Sequence, residues 1–350
     1  MKRRLSCLIL VFILIAIFSS CKKEGKEKYT EYIFDCFDTA TVITGYADSE
    51  EEFNAVVGDI KTQLKEYHKL YTIYNKYEGV NNLYIINNSD SPVEVDRKII
   101  DLLRYAKEVY ALTEGNTNVA MGSVLSIWHK YRSNGIKDPV KAELPPMDKL
   151  QLASAHTDIN NVIIDEEKNT VLLADPEMSL DVGALAKGYA VERIALDLES
   201  KGISGYVLNV GGNIRALGSK ADGSPWTVGI ENPQNSQSGS YIAYLHIDGQ
   251  VVVTSGSYQR YYMVNGKSYH HIIDPETLMP GINYLSVSVI CDDSGLGDAL
   301  STALFIMDYE EGLSLIESLS GVEAMWVLPD GEQKYSSGFE NYTFNYDEGH

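Results

Sequence analysis

The chain has 350 residues, 44% of them apolar and 22% charged, with 24 tyrosines, so it can build a sizeable core and is not a disordered polymer. Its formal net charge of -20 and its lack of a basic stripe exclude non-specific nucleic-acid binding, which needs Lys and Arg to displace counterions.

The N-terminus reads as a targeting segment. Lys2, Arg3 and Arg4 precede an unbroken apolar run from Leu8 to Phe18, shorter than the ~20 residues needed to cross a bilayer. The run ends in Phe18-Ser19-Ser20-Cys21, similar to the lipobox of bacterial lipoproteins, in which the cysteine is lipidated. The expected organisation is a signal peptide over 1–20, a lipidated tether over 21–30 beginning at Cys21, and one domain over 31–345. The product would be exported and lipid-anchored on the outer face of the cytoplasmic membrane. Cys36 and Cys291 then remain, either as a disulfide or as two buried thiols, and no Cys/His cluster has zinc spacing.

Tyr32–Tyr46 alternates and is rich in Thr, Val, Ile and aromatics, which predicts one or two strands. Ser49-Glu50-Glu51-Glu52 forms a capping box for a helix carrying Phe53, Val57, Ile60 and Leu64. Asp96 caps a second helix that stops near Gly115, and 119–138 receives no element. Residues 139–158 read as an irregular connection with a short helix, followed by a hairpin of Val162–Ile164 and Val171–Leu173. A helix from Lys187 to Ser200 ends at Gly202. Strands follow over Gly205–Val210, Trp226–Ile230, Tyr241–Ile247, Val251–Thr254, Gln259–Val264 and Leu285–Ile290. Helices over Asp298–Met307 and Glu311–Leu319 and a strand over Ala324–Leu328 close the chain. Strands grouped together predict an α+β fold of largely antiparallel sheet with packed helices.

Four segments carry candidate chemistry. Asp181-Val182-Gly183-Ala184-Leu185-Ala186-Lys187-Gly188 leads into a helix, where small residues, the helix N-terminus and Lys187 suit a phosphate or an ordinary tight turn. Asn209-Val210-Gly211-Gly212-Asn213 is a turn needing positive φ or a ligand contact. His270-His271 stand beside Asp274, as packed or as catalytic imidazoles. Asp298 and Thr302, one turn apart on one helix face, are hard oxygen ligands suited to Mg²⁺, or a helix cap and a back-bonding threonine.

In their order these segments, with Trp226–Pro233, Thr254-Ser255-Gly256, and His270–Pro275, resemble the ApbE family of FAD:protein FMN transferases. The resemblance runs from about Tyr32 to Trp326. It implies a T-fold-like α+β architecture and an FAD site contacted by Asp181, Lys187 and Ile272, with Asn116, Thr117 and Asn118 in the flavin loop. It further implies Mg²⁺ held by the Ala184 carbonyl, Asp298 and Thr302, and FMN transfer from FAD to a threonine or serine of an acceptor, releasing AMP. Acceptors would be flavin subunits of membrane redox pumps. Asp298 would act through the metal and His271 as the base. An FAD pyrophosphatase and a non-catalytic FAD-binding lipoprotein are the alternatives. The chain departs from the family pattern at Phe37-Asp38-Thr39 (usually Met-Gly-Thr), Tyr74–Gly79, Leu278 (usually Gly) and Ser301 (acidic in some members).

Overall fold

The structure, a computed structural model, describes residues 25–235 and 239–344. The signal segment 1–20, Cys21 and the start of the tether lie outside the described residues.

The first alternating stretch forms two antiparallel strands, β1 (Glu27–Cys36) and β2 (Thr39–Ala47). The tether expected to reach residue 30 is therefore cut short, because Glu27 to Thr30 already pair with Ala47 to Thr44. Helix α1 (Glu50–Tyr71) is capped by Ser49, whose Oγ accepts from Glu52 N–H at 3.2 Å, while Glu52 Oε2 reaches one residue past the cap to accept from Asp48 N–H at 2.9 Å, a variant of the expected capping box. A one-turn helix α2 (Leu83–Ile86) and the short strand β3 (Val93–Glu94) precede α3 (Arg97–Leu112), capped by Asp96.

The stretch without an expected element folds as a full helix, α4 (Gly122–Lys137), and the short helix of the irregular connection is α5 (Met147–Ser154). The hairpin β4 (Val162–Asp165) and β5 (Thr170–Leu173) joins β3 in a three-stranded sheet. After α6 (Ala186–Ser200) come β6 (Tyr206–Val210) and β7 (Asn213–Leu217). Gly211 and Gly212 join these strands at φ 57° and 85°, the paired left-handed residues of a tight hairpin turn. That turn produces a strand, β7, which the sequence pattern did not separate from it.

The remaining elements are β8 (Trp226–Glu231), β9 (Tyr241–Ile247), β10 (Val251–Gly256), β11 (Tyr261–Val264), β12 (Lys267–His270), β13 (Ser286–Cys291), α7 (Ser294–Ile306), α8 (Tyr309–Ser318), β14 (Glu323–Val327) and β15 (Gln333–Tyr335). The expected strand over Gln259–Val264 is β11, shortened at its start, and it pairs with a strand the sequence pattern did not mark, β12. Helix α7 begins four residues before Asp298. Its cap is Asp293, whose Oδ1 accepts from Leu296 N–H at 2.8 Å, so the capping role considered for Asp298 is corrected.

Eight strands form one sheet in the order β1-β2-β6-β7-β10-β13-β14-β15, each neighbouring pair antiparallel. Side-chain alternation divides its two faces. Val251, Val253, Val287 and Val289 pack with Leu300 and Leu304 of α7, whereas Val252 and Ile290 pack with Trp226 and Leu245 of the β8–β9 hairpin. Burying each such aliphatic side chain stabilises the fold by about 1.5–3 kcal/mol. Cys36 and Cys291 are both buried free thiols. Burial pushes Cys36 up to about 11 and Cys291 up to about 12, so both stay protonated at neutral pH. The whole is the expected α+β architecture of antiparallel sheet and packed helices.

Candidate active site

Loops from both halves of the chain enclose a cavity of about 530 Å³, within the size range of small-molecule sites. Asn116, Thr117, Asn118, Asp181, Ala184, Lys187, His271, Ile272, Asp298 and Thr302 all line it. Residues more than a hundred positions apart therefore meet in one place.

Asp298 is the buried centre of the lower wall. Its Oδ1 lies 2.9 Å from Lys187 Nζ and its Oδ2 accepts from Gly188 N–H at 2.7 Å. That amide belongs to the first turn of α6, where amides lack helical partners, so the carboxylate ties α7 to the positive end of α6. The close approach depends on Gly188, since a Cβ there would stand 2.2 Å from the Ser294 carbonyl oxygen and 2.5 Å from Asp298 Cβ. The Thr302 hydroxyl donates back to the Asp298 carbonyl at 3.3 Å, the back-bonding that the sequence offered as one alternative for it. The ammonium of Lys187, expected on a phosphate, rests on Asp298 in this structure.

Asp181 and the loop of Asn116–Asn118 are placed side by side by the Asp181 N–H, which donates to the Val119 carbonyl at 2.8 Å. The carboxylate turns back on its own loop: Oδ1 accepts from Gly183 N–H at 2.9 Å, holding the turn in which Ala184 lies. Asn116 Nδ2 donates to the Thr113 carbonyl at 3.0 Å and Asn118 Nδ2 to the Thr157 carbonyl at 2.9 Å. Thr117 is buried, and its hydroxyl donates to the Ala299 carbonyl at 2.8 Å, fastening the loop to α7. It contributes to the wall through shape, with its hydroxyl already committed.

The two imidazoles separate by environment. His270 Nε2 lies 2.7 Å from the Gly281 carbonyl while Nδ1 accepts from Ile272 N–H at 3.2 Å, so this ring is a structural brace. His271 faces the cavity, and its Nδ1 is buried without a hydrogen-bond partner. Burial, then the positive charges of Arg260 and Arg132, push it down to about 3, so the ring is a neutral imidazole.

The donor set around Asp298 fits a hard divalent cation. One buried carboxylate, the neighbouring Thr302 hydroxyl and a turn carbonyl at Ala184 are oxygen ligands of the kind Mg²⁺ takes together with substrate phosphates. The carboxylate already carries a cation, Lys187, so positive charge is accommodated there. Among the described residues no group of three His, Cys, Asp or Glu side chains forms an all-protein metal cage.

Helix α4 adds residues that no sequence motif marked. Met121, Leu125, His129 and Arg132 line the cavity at helical spacing, with Tyr74 Oη 3.1 Å from His129 Nδ1, and Arg260 faces them from the loop ahead of β11. The signal available in the sequence was that spacing alone.

The model of the ApbE family matches residues 37–326. The FAD:protein FMN transferase of Haemophilus influenzae is 28% identical across 98% of this chain and 99% of that protein. That of Klebsiella pneumoniae is 34% identical across 78% of this chain and 82% of its own length. The crystal structure of the ApbE protein of Thermotoga maritima superposes with a TM-score of 0.80 at 26% identity, covering 91% of this chain and all of that one. The flavin transferase ApbE of Vibrio cholerae gives 0.73 at 26% identity over 91% of this chain and 99% of that one.

Proposed function

The chain belongs to the ApbE family, and from that premise we propose that it is an FAD:protein FMN transferase. It would move FMN from FAD to a threonine or serine hydroxyl of an acceptor flavoprotein, releasing AMP. The observation that carries this reading is the convergence of all the described candidate residues on one cavity of ligand size.

FAD enters as substrate, with its pyrophosphate toward Lys187 and the N-terminal turn of α6, where cationic and amide groups favour oxyanions. The acceptor hydroxyl oxygen attacks the phosphorus of the FMN half. The bond from that phosphorus to the AMP phosphate oxygen breaks, and AMP departs with the bonding pair. His271, a neutral ring lining the cavity, is the candidate to receive the hydroxyl proton. Asp298, Thr302 and the Ala184 carbonyl would hold Mg²⁺, which supplies neutralisation of the charge spread over the transferring phosphoryl and the leaving group. Lys187 keeps Asp298 oriented until the substrate oxyanions compete for its ammonium.

The lipobox-like Cys21 supports anchoring of the exported protein to the outer face of the membrane, beside acceptor flavin subunits of redox pumps. A shared membrane plane raises the effective concentration of donor enzyme and acceptor. Incubating residues 25–350 with FAD, Mg²⁺ and the flavin-subunit domain of a redox pump tests the activity. An FMN-sized mass increase on the acceptor, matched by AMP and abolished by EDTA, is expected. AMP without acceptor modification would instead mark a hydrolase.

A further inference from the structure

Arg132 and Arg260 stand out among the described arginines because they line the cavity; Arg193, whose Nε is unpartnered, lies over the Tyr189 ring away from it. Arg97, Arg104 and Arg215 each hold a carboxylate. Arg132, half-buried on the cavity face of α4, makes no hydrogen bond or ion pair among the described residues. Arg260, at the exposed mouth of the same cavity, donates one bond from its fork, to the Asp38 carbonyl at 3.2 Å. A guanidinium carries five N–H donors, so both side chains keep donors free for a ligand in the cavity.

The surroundings do not fill them. Asp181 is a carboxylate that influences Arg132, but Oδ1 is held by Gly183 N–H and Oδ2 faces His129 Nε2 at 3.8 Å. Tyr74, Tyr262, His129, His271 and Arg260 are the other titratable groups beside Arg132, and none is a carboxylate. The two guanidiniums are close enough to repel each other, in a chain whose 49 Asp and Glu could have supplied partners. Two forks therefore face one cavity with spare donors, apart from the corner where Lys187 is already committed to Asp298.

We propose that Arg132 and Arg260 form an oxyanion-recognition subsite of this cavity, taking either a phosphoryl oxygen of the nucleotide or a carboxylate of the acceptor segment. The proposal rests on the reading of the cavity as the FAD and acceptor site. A planar fork matches both ligands bidentately, which gives orientation as well as attraction. Helix α4 acts here as the carrier: Trp128 Nε1 donates to the Leu278 carbonyl at 3.0 Å and fixes the helix, so Arg132 is presented from a rigid element.

The variants Arg132→Gln and Arg260→Gln test it, with Lys130→Gln as the control that removes a like charge from an exposed position of the same helix. FAD affinity is read in EDTA from quenching of flavin fluorescence, so no turnover intervenes. The KM for a redox-pump flavin-subunit domain is read from FMN transfer. The subsite predicts at least a tenfold rise in one constant for both Arg variants and none for Lys130→Gln. A rise in the FAD dissociation constant assigns the phosphoryl oxygen, and a rise in acceptor KM alone assigns the carboxylate. Both constants within twofold of wild type, or an equal effect of Lys130→Gln, would overturn the proposal. Should Arg132→Gln fail to fold, the exposed Arg260 variant decides alone. A wild-type protein that binds FAD but modifies no acceptor would refute the transferase reading while leaving the FAD arm of this test intact.

Discussion

Asp298 concentrates the account at the level of single side chains, because one carboxylate orients Lys187, receives the Gly188 amide and stands in the proposed cation site. Asp298→Asn keeps an oxygen for the Gly188 N–H while removing the charge, so the fold should persist. AMP release should fall at least about 100-fold; near-wild-type turnover would remove Asp298 from the metal site. His271 makes a prediction about pH. Its folded ring stays neutral down to about 3, whereas the unfolded ring takes up a proton near 6.5. The stability it confers is full above 6.5 and is lost as the pH falls toward 3. Urea unfolding of His271→Gln should therefore show a shallower acid loss, by about one proton or about 1.4 kcal/mol per pH unit, between roughly pH 6 and pH 4. A slope equal to wild type would contradict this. Two departures from the family pattern also become intelligible: Asp38 has φ 50° and Leu278 φ 60°, the left-handed region that favours the family's glycine. Leu278 is retained there by its buried packing with Trp128 and Tyr262, whereas Asp38 is exposed. Asp38→Gly should thus leave stability unchanged or raise it by up to about 1 kcal/mol, measured by urea unfolding, and a loss of that size would be contrary.

Among the elements, the junction of α6 and α7 sets the site and α4 completes it. Gly188→Ala must drive α6 away from the Ser294 carbonyl and Asp298, at a cost of about 3 kcal/mol. The loss should appear in the urea midpoint together with reduced AMP release, and a variant as stable as wild type would mean that the helices approach less closely. The two helices differ in how far sequence exposed them. Asp181–Gly188 and Asp298–Thr302 were legible because turn and ligand chemistry demand particular residue types at fixed spacing. Helix α4 was not: it has no side-chain cap, it opens on Gly122, and Ser123, Ser126, Ser133 and Asn134 interrupt its pattern. Gly122 is there for packing, since a Cβ would lie 2.4 Å from the Ser179 carbonyl oxygen. Tertiary contact overrode propensity, and with α4 the sequence reading lost His129 and Arg132. The start of α7 was misplaced for a related reason: the small residues Ser294, Gly295 and Gly297 look like a loop but serve close helix packing beneath Asp293.

For the molecule as a whole, one eight-stranded antiparallel sheet separates a helical layer carrying the cavity from a β8–β9 cover. The α+β class was readable because strands cluster in the second half of the chain, but the strand order was not. Neighbours such as β2 with β6 and β7 with β10 are set by contacts remote in sequence. Charge is uneven: the chain carries -20, yet around the cavity Lys187, Arg132 and Arg260 stand against Asp38, Asp181 and Asp298. The cavity is thus less negative than the chain as a whole, whose net charge repels polyanions. The central claim is transfer rather than storage or hydrolysis, and its most direct measurement is the intact mass of a flavin-subunit acceptor after incubation with the protein, FAD and Mg²⁺, with AMP counted in parallel. One FMN added for each AMP released, and neither in EDTA, is the expected result. AMP without acceptor modification, or bound FAD that yields no AMP, would contradict it.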